Sequence, residues 1–151
     1  EQYMSVAVET NTDMLFMLRQ FQSESSMSHV NFNPRRVSSL MRSSIDDPDT
    51  TFCYVCEIDG KVVGSLAAVV TPYFFGDDLI STDYWLYLYP EYRGRMYGVK
   101  LLKKYINWAN IQGVKEVMLS PASGISMDRT EKILAKMGFQ PSGIQMKMRG
   151  S

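Results

Sequence analysis

The stretch Leu86-Tyr-Leu-Tyr-Pro-Glu-Tyr-Arg-Gly-Arg-Met-Tyr-Gly-Val-Lys-Leu-Leu102 carries an aromatic, strand-like segment through a proline turn and two glycines into a helical pattern. Leu101, Leu102, Tyr105, Ile106 and Ala109 recur at helical spacing, which predicts a helix over 98–112 closed by Gly113. A strand that enters a helix through a short turn aims consecutive backbone N–H groups, and the positive end of the helix dipole, at one place. Arg93 and Arg95 in the turn, with Lys100, Lys103 and Lys104 on the helix, add positive charge nearby. A phosphate or pyrophosphate is the natural guest. The Walker signature is absent, and G-x-G-x-x-G fails because only Gly94 and Gly98 are glycines here. The residues alone leave two readings, an anion site or a solvated basic turn.

Working outward, Asp59-Gly60 separates two β-rich runs, 52–58 and 61–71, and such a pair is a strong hairpin signal. Residues 79–89 read as a further strand, 114–120 as another, and 139–148 as one or two short closing strands. Upstream, 3–8 alternates weakly as an edge strand. Asn11 or Thr12 starts a helix with Met14, Leu15, Met17, Leu18 and Phe21 on one stripe. Asn33-Pro34 opens a second helix with Val37, Leu40 and Met41 on one side. Ser126 or Asp128 begins a last helix through Ile133, Leu134 and Met137, with Gly138 at its end. The order β-α-α-β-β-β-α-β-α-β predicts an α/β or α+β fold, a sheet with helices packed on it.

The chain has 151 residues, the size of one domain spanning 1–151, and no run of apolar residues long enough for a membrane span. No signal-peptide pattern appears in residues 1–30. Sixteen basic and sixteen acidic residues cancel to zero, which argues against a nucleic-acid or membrane binder. The zero hides a division: residues 46–91 carry −8, residues 92–118 carry +5, and residues 119–151 carry +3. Cys53 and Cys56 form a C-x-x-C, but positions three apart on a strand face opposite ways. Two further zinc ligands are also missing, so the expectation is buried free thiols, no metal, and a reducing cytoplasm.

The run Pro90-Glu-Tyr-Arg-Gly-Arg-Met-Tyr-Gly98 with Val99-Lys-Leu-Leu102 resembles motif A of the GNAT superfamily, the acyl-CoA-dependent N-acyltransferases. The resemblance extends along the chain. Asp59-Gly-Lys-Val-Val-Gly64 resembles the hairpin that precedes motif A in that family, and Trp108-Ala109 with Gly113 and Val117, and Lys136-Met-Gly-Phe139, resemble landmarks that follow it. It implies a mixed, mainly antiparallel central sheet flanked by about four helices. It also implies acetyl transfer from acetyl-CoA, as co-substrate, to an amine-bearing acceptor, either a small molecule or a protein. Carried over by motif position, Arg93, Gly94, Arg95, Met96, Tyr97 and Gly98 form the pyrophosphate loop. The main chain of Leu86, Tyr87 and Leu88 pairs with the pantetheine arm. Met96 stands where the family has a glycine; its amide remains and its side chain is expected to turn aside.

Asp83 holds the position of the family's general base, with Tyr84 and Trp85 available to desolvate it and raise its pKa. Its other reading is a solvated acid near a strand start, and Glu91 is the weaker alternative. The family's general-acid tyrosine is replaced by Leu134, and its upstream asparagine by Met127; Ser123, Ser126 or a water are substitutes. Acceptor recognition is implied for residues 25–32, with His29, and 72–78, with Tyr73, Phe74 and Phe75. His29 either contacts substrate or is solvated, and the aromatic residues either wall a pocket or pack on the sheet. The acidic stretch 46–91 suits a cationic amine if its acids share one face. The expected assembly is a monomer or homodimer. Two other function classes compete: an acyl-CoA-binding module without catalysis, and a nucleotide-binding protein.

Overall fold

Asp59 and Gly60 both adopt left-handed backbone, φ 51° and 79°, as the two central residues of a hairpin turn matched to strand twist require. They join β2 (Thr51–Ile58) to β3 (Lys61–Pro72), which pairs antiparallel with β4 (Leu79–Leu88). The computed structural model describes residues 2–6, 11–120, 127–143 and 145–150. Within them, β1 (Gln2–Val6) pairs antiparallel with β2, and β5 (Glu116–Val117) pairs parallel with β4. The strands lie in sequence order, β1-β2-β3-β4-β5. Ala7 and Val8, at the end of the expected first strand, lie outside the described residues, as do Ser123 and Ser126.

Helices cover both faces. On one, α1 (Asn11–Glu24) and α2 (Pro34–Asp46) pack Met14, Met17, Leu18, Phe21 and Met41 against Cys53, Val55, Trp85 and Tyr87. The α2 start is fixed by Asn33, whose Oδ1 accepts from the amides of Arg35 (3.1 Å) and Arg36 (3.2 Å). On the other face, α3 (Tyr97–Ile111) and α4 (Met127–Lys136) bring Leu101, Leu102, Tyr105, Ala109 and Leu134 onto Phe52, Cys56, Val63 and Leu66. Each such aliphatic side chain contributes about 1.5–3 kcal/mol by leaving water. Cys53 and Cys56 fall into opposite cores as buried thiols outside any disulfide, and burial pushes the Cys53 thiol up to about 12.

Two expectations differ from the structure. The strand expected over 114–120 is only two residues long. Residues 139–143 and 145–150 form no strand, and Met146 and Met148 are exposed. A closing strand needs a neighbouring edge, and two residues of β5 offer almost none. Among the described residues, no helix is long and apolar enough to cross a membrane, and no group of three His, Cys, Asp or Glu side chains is placed to hold a metal ion.

The approach of β3 to the end of β4 is tight enough to exclude a side chain at Gly64. A Cβ there would lie 2.2 Å from Leu88 Cδ2 and 2.9 Å from the Tyr87 carbonyl oxygen. The leucine can turn but the backbone oxygen cannot. Gly64→Ala is expected to cost about 1–3 kcal/mol, read as a lower urea midpoint at unchanged slope. An unchanged midpoint would mean that the two strands can separate without loss.

Candidate functional site

The site begins where two neighbouring strands part. β4 and β5 pair at Ile80–Glu116 and Ser81–Val117, and Met118 N–H still donates to the Ser81 carbonyl at 2.8 Å. Beyond that rung the far edge of β4 has no strand beside it among the described residues. A bulge lies at the same place. Ala68 faces Asp83 but Ala67 faces Trp85, leaving Tyr84 as the extra residue. It resets the alternation of the strand. Ser81 lies against Tyr105 of α3, and Asp83, two residues on, stands on that side too. Trp85 and Tyr87 then point into the core beneath α1.

The bulge also decides which backbone groups face the open edge. Tyr89 N–H donates to the Val63 carbonyl at 3.0 Å, so Trp85 and Tyr87, in step with it, spend their backbone groups on β3. Leu86 and Leu88 therefore present theirs to the gap. At its end a 3₁₀ turn, Pro90–Tyr92, and Gly94 at φ 78° swing the chain into α3. Met96 caps that helix with no side-chain hydrogen bond, so its side chain does not cover the first-turn amides. Its φ of −77° is one any residue adopts, and the side chain is 56% exposed. At Gly98 a Cβ would come within 3.3 Å of Leu88 Cδ1, so the helix start sits close against the strand end.

The arginine that opens the turn is already engaged. Arg93 Nε donates to the Leu88 carbonyl at 2.8 Å, Nη2 pairs with Glu24 at 2.9 Å, and the guanidinium lies 5.2 Å from the Tyr87 ring centroid. It thereby ties the last residue of α1 to the exit of β4. The Tyr87 hydroxyl beside it is buried, and burial raises its pKa, the neighbouring Glu24 adding to the effect. Other cations stand near the turn: Arg95 lies 6.0 Å and Lys61 5.9 Å from the Tyr92 ring centroid. Lys61 comes from the hairpin, and no pattern in the sequence singled it out.

Asp83 is half-buried at the parting. Its Oδ1 accepts from the Ser120 amide at 2.7 Å. Burial raises its carboxyl to about 6, partly offset by that hydrogen bond and by its own amide. The remaining sequence candidates are not gathered here. His29 is exposed in the segment after α1, five residues beyond the Glu24 that pairs with Arg93. Tyr73 and Phe74 precede β4, a strand of 10 residues and about 30 Å. Tyr73 donates to Glu116, which pushes its hydroxyl up to about 12, while Phe74 and Phe75 are exposed with rings 3.9 Å apart. The acids of 46–91 spread over both ends of the sheet, with Asp59 at the hairpin tip and Asp77 and Asp78 before β4. They do not form one face.

The description "Acetyltransferase (GNAT) family" matches this chain over residues 16–139. No curated protein sequence matches it. Among solved structures it is similar to glucosamine-6-phosphate N-acetyltransferase from Arabidopsis thaliana, at 13% identity and TM-score 0.77, covering 100% of this chain and 99% of that one. An acetyltransferase of Trypanosoma brucei is similar at 18% identity and TM-score 0.74, covering 99% of each chain. So is AAC(6')-Iy, solved with the bisubstrate analogue CoA-S-monomethyl-acetylneamine, at 14% identity and TM-score 0.70, covering 100% of this chain and 99% of that one. At these identities the structures establish the fold, and the family match over most of the chain establishes more: it belongs to the GNAT acetyltransferase family.

Proposed function

We propose that residues 1–151 act as a single N-acetyltransferase domain that moves an acetyl group from acetyl-CoA to a primary amine. The observation that carries this reading is the uncapped start of α3 at the mouth of the open β4 edge. The residues fit coenzyme A. The first-turn amides of Tyr97 and Gly98, with Met96 turned to solvent, suit a pyrophosphate, and Arg95 and Lys61 add charge. Leu86 and Leu88 offer backbone groups to an extended arm, as an added strand would use them. Arg93, with Gly94 beside it, contributes by holding the turn, its guanidinium already spent on Leu88 and Glu24.

The thioester supplies the activated acyl carbon; the chain must deprotonate the amine and keep both partners aligned. Asp83 is the proton acceptor, because its carboxyl lies near 6 and is half ionised where many amines still hold their proton. As the nitrogen bonds to the acyl carbon and the carbon–sulfur bond breaks, the amine proton passes to Asp83. Leu134 is buried in the core and donates nothing to the departing thiolate. A thiol of pKa about 8.5 is a serviceable leaving group near neutrality without help. That same leucine favours a second reading, an acyl-CoA-binding module without catalysis. His29 after α1, and Tyr73 with Phe74 before β4, are the candidate acceptor contacts. Buried thiols outside any disulfide suit a reducing cytoplasm, and a monomer or homodimer suffices for this chemistry.

Thiol release from acetyl-CoA across a panel of amines, beginning with aminosugars and peptide N-termini, should show turnover above background hydrolysis. Binding of coenzyme A with no turnover on any amine would select the module instead. In the enzyme, kcat/KM should rise through about pH 6. Asp83→Asn should remove that inflection and lower kcat about 10²-fold or more while leaving coenzyme A affinity intact.

Stability gives an independent check on Asp83. Its folded carboxyl, near 6, exceeds the unfolded value of about 4, so between those pH values the folded chain keeps a proton that the unfolded chain has shed. Stability from this group is full below about pH 4 and is lost as pH rises through about 6. Relative to wild type, Asp83→Asn should therefore gain stability across that window and hold a constant difference above pH 7. A difference independent of pH, in urea titrations, would mean that the carboxyl is not shifted.

A further inference from the structure

In a parallel ladder each rung dictates the next, because hydrogen bonds run back and forth at even spacing. Met118 N–H donates to the Ser81 carbonyl at 2.8 Å. The following rungs would run from Asp83 N–H to the Met118 carbonyl, then from Ser120 N–H to the Asp83 carbonyl. Side chains take both. The Met118 carbonyl accepts from the Tyr105 hydroxyl at 2.8 Å, a hydroxyl that also lies 3.2 Å from Ser81 Oγ. Ser120 N–H donates to Asp83 Oδ1 at 2.7 Å, and the Asp83 amide is turned to its own carboxylate.

We propose that Tyr105 and Asp83 form a wedge that ends the β4–β5 ladder and holds open the slot in which the pantetheine arm lies. Tyr105 is a positioning residue in this arrangement, reaching no substrate. It is fully buried on α3, and its hydroxyl arrives between the strands at the carbonyl where pairing would resume. Without that hydroxyl the half-buried Met118 carbonyl loses this partner, and the donor in register with it is the Asp83 amide. The ladder then extends by one rung and the slot narrows from its inner end. The assignment of the slot to coenzyme A rests on the function proposed above; the wedge itself rests on these hydrogen bonds.

Tyr105→Phe keeps the ring and removes only the hydroxyl. Leu101→Ala, at another fully buried position on α3, is the control for plain loss of packing. Coenzyme A affinity is measured by calorimetry at a temperature where circular dichroism shows every variant folded. Tyr105→Phe should weaken binding at least tenfold, and Leu101→Ala should stay within threefold of wild type despite a lower melting temperature. Tyr105→Phe within threefold of wild type, or Leu101→Ala weakened as much, would overturn the proposal. If Tyr105→Phe does not fold, the Asp83 pair decides. Asp83→Ala should weaken binding, while Asp83→Asn, which keeps an acceptor oxygen for Ser120, should not; equal affinities would overturn it. If wild type itself takes up no coenzyme A, the proposed function falls. The wedge is then judged by amide exchange in ligand-free protein: slower exchange of the Asp83 amide in Tyr105→Phe supports it, and unchanged exchange overturns it.

Discussion

Backbone hydrogen bonds set the terms for the rest of this molecule, because a strand whose edge is left open carries a row of N–H and C=O groups that must find partners elsewhere. β4 meets that demand in three ways along its length. Up to Ser81 it pairs with β5; around Asp83 the neighbouring groups are taken by the carboxylate and by Tyr105; at Leu88 the carbonyl is taken by Arg93. Between the last two lie the Leu86 groups and the Leu88 amide, on the side away from β3. The bulge at Tyr84 is what brings this about, since without the extra residue the backbone groups facing the gap would be those of Trp85 and Tyr87. Helix α3 starts beside the end of this edge because Gly98 lets it lie against Leu88.

What could be read from the sequence was what is decided locally. The Asp-Gly hairpin, the helix start at Asn33-Pro34, the start of α3 and the opposite facing of Cys53 and Cys56 depend on neighbours within a few residues, and each appears in the structure as expected. The length of β5 and the absence of closing strands depend on whether a partner edge exists, which alternation of apolar residues cannot report. Motif spacing singled out Asp83, but nothing in the sequence indicated its hydrogen bond to Ser120. Tyr105 was legible only as one of five apolar positions at helical spacing. Periodicity registers its ring and is blind to its hydroxyl.

Charge follows the same division. The basic segment after Arg93 looked like a collection of equivalent cations, yet Arg93 is bound to Glu24, a residue outside both the acidic and the basic segments. Lys61, the one base within the acidic segment, lies instead beside Tyr92 at the turn. Net charge counted along the chain therefore gave the right sign near the α3 start and the wrong contributors. The acids, spread over both ends of the sheet, provide no single acidic face.

Two departures from the family pattern have unequal weight, and the reason is which part of the residue does the work. At Met96 the proposed task belongs to the backbone. The amide survives the change of residue, the φ of −77° needs no glycine, and the long side chain has solvent to occupy. At Leu134 the missing task belonged to a side chain, and a buried aliphatic group offers no proton whatever its backbone does. Recognition built from main-chain amides and an open strand edge thus tolerates sequence drift that acid–base chemistry does not. For the site proposed here, affinity for coenzyme A would therefore be weak evidence of turnover, and the pH profile of the Asp83→Asn variant would be strong evidence.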